Sequence, residues 1–271
     1  MKRVNLLVIC MILSVILLAC SNTPVDSDNM VDNDNIADSD NIVDSEHTGN
    51  SIKQESDMDN FLKTITEETA EHKGVCGADL TWYYKDNVLV IKGTGEMADY
   101  KPPHFNESIV PWNELRDNIA MVIIQDGVTY IGTYAFETLT SLSKATIPES
   151  VTTIGDAAFA RCENLTTVNL SEGLQVIGER AFVGSVKLNN IVIPSSVVEI
   201  KDEAFRDIKT ESLKFAGDAP EITLYNEIDK SNTGQILGLE EESIIYYSGS
   251  GFDKYIESSN IGEFNYTWIK E

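Results

Sequence analysis

A phenylalanine recurs every 23 residues through the middle of the chain, and an alanine precedes each copy. A fixed period of this length is typical of a solenoid, in which one repeat forms one coil and a single coil cannot bury its own apolar face. The sequence therefore predicts stacked coils around a continuous core. The repeated residues are Phe136, Phe159, Phe182 and Phe205, each preceded by Ala135, Ala158, Ala181 or Ala204, with Ile131, Ile154, Ile177 and Ile200 five positions before the phenylalanine.

A second apolar set keeps the same step with an L-x-x-L-x-L spacing. This spacing predicts that each coil contains a short strand, a turn, a second extended stretch and a tight return through Gly-x-x-Ala-Phe. The predicted fold class is a β-rich leucine-rich repeat solenoid with short strands and turn or helical returns, over residues 119–215. The second set comprises Ile119, Val122, Ile124, Leu142, Ala145, Ile147, Leu165, Val168, Leu170, Leu188, Ile191 and Ile193.

The return carries further predictions. Gly132, Gly155 and Gly178 are expected to adopt a backbone conformation that other residues avoid. Lys201 replaces glycine in the fourth return, which predicts a relaxed last turn. The phenylalanine column is either an aromatic binding ladder or a core stack, and its identical spacing beside alanine favours the core stack.

Segments on both sides of the array are predicted to cap it, because the end of a solenoid exposes apolar core and strand edges. Two extended runs flank Asp86-Asn87, which favours a β-hairpin with Trp82 in the cover. The predicted N-terminal hairpin and loop span residues 74–118, and a C-terminal β segment spans residues 216–271.

The loop between Lys101 and Trp112 contains two aromatic residues, Phe105 and Trp112. They either fold back on the cap, which is the favoured interpretation, or form an adhesive patch beside the array.

The repeats VTTIGDAAFARCENLTTVNL and LQVIGERAFVGSVKLNNIVIP resemble the BspA-like leucine-rich repeats of bacterial surface proteins. The flanking segments GVCGADLTWYYKDNVLVIKGTGEMADY, FAGDAP and SIIYYSGSGFDKY resemble the capping segments of that family, so the resemblance covers residues 74–271. It implies a secreted or surface protein linked to adhesion and to binding host matrix proteins or other bacteria. The chain departs from the family pattern at Thr138-Leu139, Gly184-Ser185 and Lys201.

The first twenty residues have the pattern of an export signal. Lys2 and Arg3 precede an apolar run, and the run ends in Leu17-Leu18-Ala19-Cys20, which resembles the lipobox of bacterial lipoproteins. Residues 1–19 are therefore predicted to be a lipoprotein signal peptide, with lipidation at Cys20 and a membrane-anchored, extracytoplasmic chain. The alternative is an ordinary cleaved signal in which the cysteine is incidental.

Residues 20–73 are predicted to form an acidic, disordered tether. Between Ser21 and Asn60 there are eleven acidic residues and one basic residue, and a six-residue unit of the type Val-Asp-Ser-Asp-Asn-Met recurs. Such a segment buries too little apolar surface to order itself. Calcium binding by its Asp-x-Asp pairs is the alternative, although the glycine and distant glutamate of a calcium loop are missing. Residues 56–73 are expected to form a short helix.

The charge and the rare residues exclude several function classes. Forty-four acidic residues against 20 basic ones give a net charge of -24, which repels nucleic acid. No catalytic motif, phosphate loop or metal-ligand spacing is present, so no enzyme activity, cofactor or metal is predicted. Acidic groups at 202–203 and 240–242 are expected to be solvated surfaces. Cys76 and Cys162 either form a disulfide or remain two buried thiols, and thiols are favoured.

The candidate site is the outward side of the strands, where polar residues recur on successive coils and form a ladder. These residues either contact a partner or are merely soluble strand residues. The predicted function is a monomeric, surface-tethered, non-enzymatic module that binds an extracellular protein or glycan. The alternatives are a passive envelope spacer or coat component and an accessory lipoprotein to a cell-wall enzyme or transporter. The ladder comprises Lys144, Thr146, Thr167, Asn169, Asn190, Val192, Ser212 and Lys214.

Cys20→Ala removes the predicted lipidation site, so labelling of the expressed protein with a fatty acid is expected to disappear. Labelling is measured on gels after growth with an alkyne-tagged fatty acid. Cys10→Ala is the matched control, because it changes a cysteine within the apolar run and is expected to leave labelling intact. Persistent labelling of Cys20→Ala contradicts the lipobox assignment.

Overall fold

The computed structural model describes residues 58–102, 109–208, 210, 212–222, 243–253, 255–256 and 267–271. The chain divides into two compact units, with the boundary between Thr64 and Ile65. Residues 58–64 of the first unit are helical. The predicted signal peptide, Cys20, the aspartate repeats and Phe105 lie outside the described residues.

The described part of the second unit contains short strands and one 3-10 helix, Asn113–Asn118. The strands are β1 (His72–Val75), β2 (Leu80–Lys85), β3 (Val88–Gly93), β4 (Gly95–Glu96), β5 (Met121–Ile124), β6 (Val128–Ile131), β7 (Lys144–Thr146), β8 (Thr153–Ile154), β9 (Thr167–Asn169), β10 (Val176–Ile177), β11 (Ile191–Ile193), β12 (Glu199–Ile200), β13 (Leu213–Phe215), β14 (Glu221–Ile222), β15 (Ile244–Tyr247) and β16 (Thr267–Lys270).

These strands form three sheets. The first has the order β1-β2-β3-β5-β7-β9, the second β14-β12-β10-β8-β6-β4, and the third β11-β13-β15-β16. Each repeat supplies a three- or four-residue strand to the first or third sheet and a two- to four-residue strand to the second. Equivalent residues of successive coils pair in parallel, as Ala145 does with Val168 and Ile154 with Ile177. The predicted leucine-rich repeat solenoid is confirmed.

The predicted hairpin is present, and Asp86 and Asn87 form its turn with φ values of 49° and 65°. Both values lie in the left-handed region that a type I′ turn requires. The hairpin's second strand, β3, also pairs in parallel with β5, and β4 pairs with β6. At the other end, β13 pairs with β15 and β15 with β16. The two-sheet pattern therefore continues beyond the predicted array boundaries at 119 and 215.

The phenylalanine column forms the centre of the core. All four rings are fully buried, and successive ring centroids lie 5.1, 5.5 and 5.5 Å apart. Trp112 begins the column, because it is fully buried and stacks on Phe136 at 5.5 Å. Its indole Nε1 donates a hydrogen bond to the carbonyl of Ala135 at 3.2 Å. The core-stack interpretation is confirmed, as is the expectation that Trp112 folds back.

The returns form a third backbone ladder between coils. The N–H groups of Tyr134, Phe136 and Thr138 donate to the carbonyls of Asp156, Ala158 and Ala160 at 3.0, 2.8 and 2.8 Å. Two residues of each return have a positive φ, at positions that recur every 23 residues. These left-handed residues are Tyr134, Ala157, Arg180 and Glu203 in one column and Thr138, Arg161, Gly184 and Asp207 in the other.

The prediction that an unusual backbone conformation selects the repeated glycines was wrong. Gly132, Gly155 and Gly178 are absent from the positive-φ positions, which other residues occupy. Their requirement is space: a Cβ on Gly155 would lie 2.7 Å from the carbonyl oxygen of Ile131, and one on Gly178 would lie 2.6 Å from the carbonyl carbon of Gly155. Close approach between coils therefore selects glycine at these positions.

The return that contains Lys201 keeps the pattern of the others. The Lys201 N–H donates to the carbonyl of Ile177 at 2.9 Å, and Glu203 and Asp207 keep positive φ values. The predicted relaxation of this turn is therefore wrong, because the backbone ladder holds the return despite the added side chain.

The folded unit begins before the predicted tether ends. Ile65 is fully buried, and β1 pairs antiparallel with β2. The predicted helix over 56–73 is shorter, since the described helix ends at residue 64. Lys73 lies in β1, which pairs with β2 at the edge of the hairpin. The repeat period does not predict this pairing.

Cys76 and Cys162 are free and buried, which confirms the thiol interpretation. Burial raises the pKa of each thiol to about 12. The Cys162 thiol donates a hydrogen bond to the carbonyl of Phe136 at 3.1 Å. Neither group is a reactive thiolate at neutral pH.

Ala157→Gly and Ala158→Gly test the backbone of the return. Both alanines are buried, but only Ala157 has a positive φ, of 51°. Ala157→Gly is expected to leave the free energy of unfolding unchanged or raise it by about 1 kcal/mol, because the left-handed region penalises a Cβ. Ala158→Gly is expected to lower it by about 0.5–1 kcal/mol. Urea denaturation measures both, and equal losses would contradict the left-handed assignment.

Candidate functional site

The candidate site is the strand face, defined as the side of β3, β5, β7, β9, β11, β13 and β15 that points away from the solenoid core. Side chains alternate along a strand, so Ala145 and Ile191 enter the core while their neighbours point outward. All eight predicted residues lie on or directly beside these strands. Thr167, Asn169, Asn190 and Val192 are exposed, and Lys144, Thr146, Ser212 and Lys214 are half-buried.

The sequence predicts that the eight residues form one continuous ladder. In the structure they do not. The first sheet ends at β9 and the third begins at β11. Asn190, just before β11, has a left-handed backbone with a φ of 52°. The strand face is therefore divided into two groups of four, one on β7 and β9 and one around β11 and β13.

The second group lines a pocket, which we call the C-terminal pocket. Its volume is about 440 Å³. The Ser212 hydroxyl donates to the side-chain oxygen of Asn190 at 2.8 Å, and the Lys214 ammonium pairs with the Glu271 carboxylate. Six of its wall residues are Asn190, Val192, Ser212, Lys214, Tyr246 and Glu271.

Sequence reasoning missed Tyr246 and Glu271. Tyr246 is the register partner of Lys214, one strand further along the sheet, and Ile269 is the partner of Tyr246. The repeat period does not reach them, because Lys214 and Tyr246 are 32 positions apart in the sequence. The alternating segment Ile244–Tyr247 carried the only local signal of an outward aromatic residue.

The opposite end of the strand face is apolar and covered. Val88, Val90, Met121 and Ile123 point away from the core, since their neighbours Leu89, Val122 and Ile124 belong to it. Their exposed fractions are nevertheless 2, 0, 3 and 6%. The runs Val88–Ile91 and Met121–Ile124 are apolar without alternation, which is typical of strands buried on both sides.

The segment before β1 lies at this covered end. The Lys92 ammonium donates to the carbonyl of Ile65 at 2.8 Å, and Ile65 is fully buried outside the main core cluster. Glu71 donates its N–H to the carbonyl of Tyr84 at 2.9 Å. Burial lowers the pKa of the Lys92 ammonium. The chain that enters the folded unit therefore occupies the strand face at its N-terminal end.

The described residues hold no group of three or more His, Cys, Asp and Glu side chains arranged to bind a metal ion. In the same part of the chain, no helix combines the length and apolar character needed to cross a membrane. The polar side chains that the strand face offers are hydroxyls, amides, lysines and one carboxylate, which suit hydrogen bonding to a ligand.

Comparison with known proteins agrees with this architecture. A family model described as a BspA type leucine rich repeat region matches residues 115–226 in six copies. A leucine-rich repeat protein from Eubacterium ventriosum is similar at 23% identity, with a TM-score of 0.50 over 68% of this chain and 45% of that chain. The pneumococcal vaccine antigen PcpA is similar at 18% identity, with a TM-score of 0.48 over 70% and 47%. This chain thus spans less than half of either protein, and no curated protein matches it.

Val90→Asp and Thr146→Asp test whether the two ends of the strand face differ. Both residues occupy the same outward column, which runs from Val90 through Ile123 to Thr146. Val90→Asp is expected to cost about 3 kcal/mol or more of unfolding free energy, because it buries a charge without a partner. Thr146→Asp is expected to cost less than about 1 kcal/mol. Chemical denaturation gives both values, and similar costs would show that the apolar end is not covered.

Proposed function

The repeat region of this chain belongs to the BspA-type leucine-rich repeats, and from that premise we propose that the protein is a non-enzymatic binding module displayed outside the cytoplasm. The observation that carries the proposal is the open part of the strand face, where polar side chains project from β7, β9 and β13 and from Asn190 directly before β11. Its ligand is an extracellular protein or glycan.

The strand face suits binding because the pairing of its strands holds the outward side chains in a fixed register. Each strand of β5, β7 and β9 bonds to its neighbours in register, so the outward side chains stand on a rigid platform about 4.8 Å apart from coil to coil. The core-facing residues hold the fold without them. Thr167 and Asn169 are exposed and have no core role, which leaves their side chains available for a partner.

Display at the surface follows in this proposal from Cys20. A diacylglycerol on that cysteine, with a further acyl chain, gives stable membrane attachment where one chain alone does not. In this proposal the acidic segment between Cys20 and Ile65 is the tether between the membrane and the folded unit. The net charge of -24 supports a partner other than nucleic acid.

A strand-face triple variant tests the proposal. Thr146→Glu, Asn169→Glu and Lys214→Glu together place three acidic side chains on the open face. The full chain is tested for binding to host matrix extract, a glycan array and the envelope fraction of the producing bacterium. We expect at least one ligand whose affinity falls about tenfold or more in the triple variant, because a few central residues carry most of a binding energy.

A charge-matched triple variant is the control. Gln175→Glu, Lys187→Glu and Val198→Glu change the net charge by the same amount at exposed positions outside the strand face. They are expected to leave binding intact. Equal binding by wild type and the strand-face variant, with unchanged thermal midpoints, removes the strand face as the binding surface.

A further inference from the structure

We infer that the C-terminal pocket binds an uncharged carbohydrate unit. This inference rests on the proposed binding function and assigns a ligand class to one of the two groups on the strand face. Four properties of the pocket support it: an aromatic side chain, hydrogen-bonding groups, its size and its charge.

Tyr246 supplies an aromatic surface in the row of outward residues. Its register partners are Lys214 on one side and Ile269 on the other. The half-buried ring borders the pocket, and the pocket wall also contains Val192, an aliphatic residue two strands away that is 50% exposed. A sugar ring presents C–H groups on its faces, and these pack on the electron-rich face of an aromatic ring.

The polar groups surround that surface with both donors and acceptors. Lys214 offers an ammonium, Glu271 a carboxylate and Asn190 an amide that has both capacities. Sugar hydroxyls are donors and acceptors at once, so vicinal hydroxyls match an ammonium beside a carboxylate. Lys214 lies on β13 and Glu271 directly follows β16, so their ion pair spans the strand that contains Tyr246.

The charge favours an uncharged ligand. The ammonium of Lys214 and the carboxylate of Glu271 neutralise each other within the pocket. The chain as a whole carries a net charge of -24, which repels anionic sugars such as sialic acids and phosphorylated glycans. Among the described wall residues, a cationic ligand would find one carboxylate, that of Glu271, which is already paired with Lys214.

The size favours a small ligand over a peptide strand. A volume of about 440 Å³ lies in the range of small-molecule sites, about 300–1,000 Å³, and holds one or two sugar rings. The backbones of β13 and β15 are paired on both sides, so a peptide gains no strand addition at these two strands, and β11 is the edge strand of the sheet. Protein binding at the pocket is an outcome of the test below.

Neutral disaccharides test the inference directly. Lactose, N-acetyllactosamine and chitobiose are titrated into the full chain by saturation-transfer NMR and calorimetry, with sialyllactose as the anionic counterpart. We expect at least one neutral disaccharide to bind with a Kd of about 1 mM or lower, and sialyllactose to bind more weakly. Tyr246→Ala is expected to weaken binding about tenfold, whereas Tyr246→Phe keeps it within about threefold because the ring remains.

Two lysines give a matched pair of variants. Lys144 and Lys214 are both half-buried on the strand face, but only Lys214 lines the pocket. Lys214→Met is expected to weaken sugar binding about fivefold or more, and Lys144→Met to leave it unchanged. Circular dichroism of each variant confirms that the fold is retained.

The outcomes separate this inference from the proposed function. Absence of saturable binding by every neutral disaccharide, or equal losses in Lys144→Met and Lys214→Met, overturns the carbohydrate assignment. If the strand-face triple variant no longer binds a protein that the wild type captures, the proposed binding function holds. Only the assignment of a carbohydrate ligand to the pocket is then overturned. Sugar binding that depends on Tyr246 and Lys214 supports the inference whatever the extracts show.

Discussion

The whole folded unit depends on the constant step between one coil and the next. Residues 23 positions apart pair in parallel in the first and second sheets, and the same step stacks one phenylalanine on the next. The backbone ladder of the returns fixes the third side of the coil, where Phe159 donates its N–H to Ala181 at 2.8 Å. A change in repeat length would break all three ladders at once. Stability is therefore a property of neighbouring coils together and not of any single coil.

The sequence predicted most of what the period controls. The phenylalanine column, the parallel coils and the outward positions all follow from a 23-residue step, and the structure contains them. Features outside the period were missed, namely the parallel pairing of β3 with β5, the early start at Ile65 and the contribution of Tyr246. The prediction of an unusual backbone at the repeated glycines failed for a general reason. A period shows that glycine recurs, but it does not show whether the φ angle or the lack of space for a Cβ requires glycine.

The strand face differs in chemical character between its two ends. At its N-terminal end the outward positions are apolar, and the fully buried Ile65 lies beside them; at its C-terminal end they are polar and border an aromatic pocket. The same pair of columns changes from Met121 and Ile123 to Lys144 and Thr146 within one coil. A uniform repeat thus leaves the outward positions free to differ, because the core residues and the backbone ladders maintain the register.

The phenylalanine stack also links each coil to two neighbours. Phe182 stacks on Phe159 and on Phe205 with nearly parallel ring planes, at interplanar angles of 4° and 2° and centroid separations of 5.5 Å. One side chain in the middle of the column therefore takes part in two contacts between coils. Loss of that ring would weaken two coil interfaces together, and damage to a single repeat would extend to the coils on both sides of it.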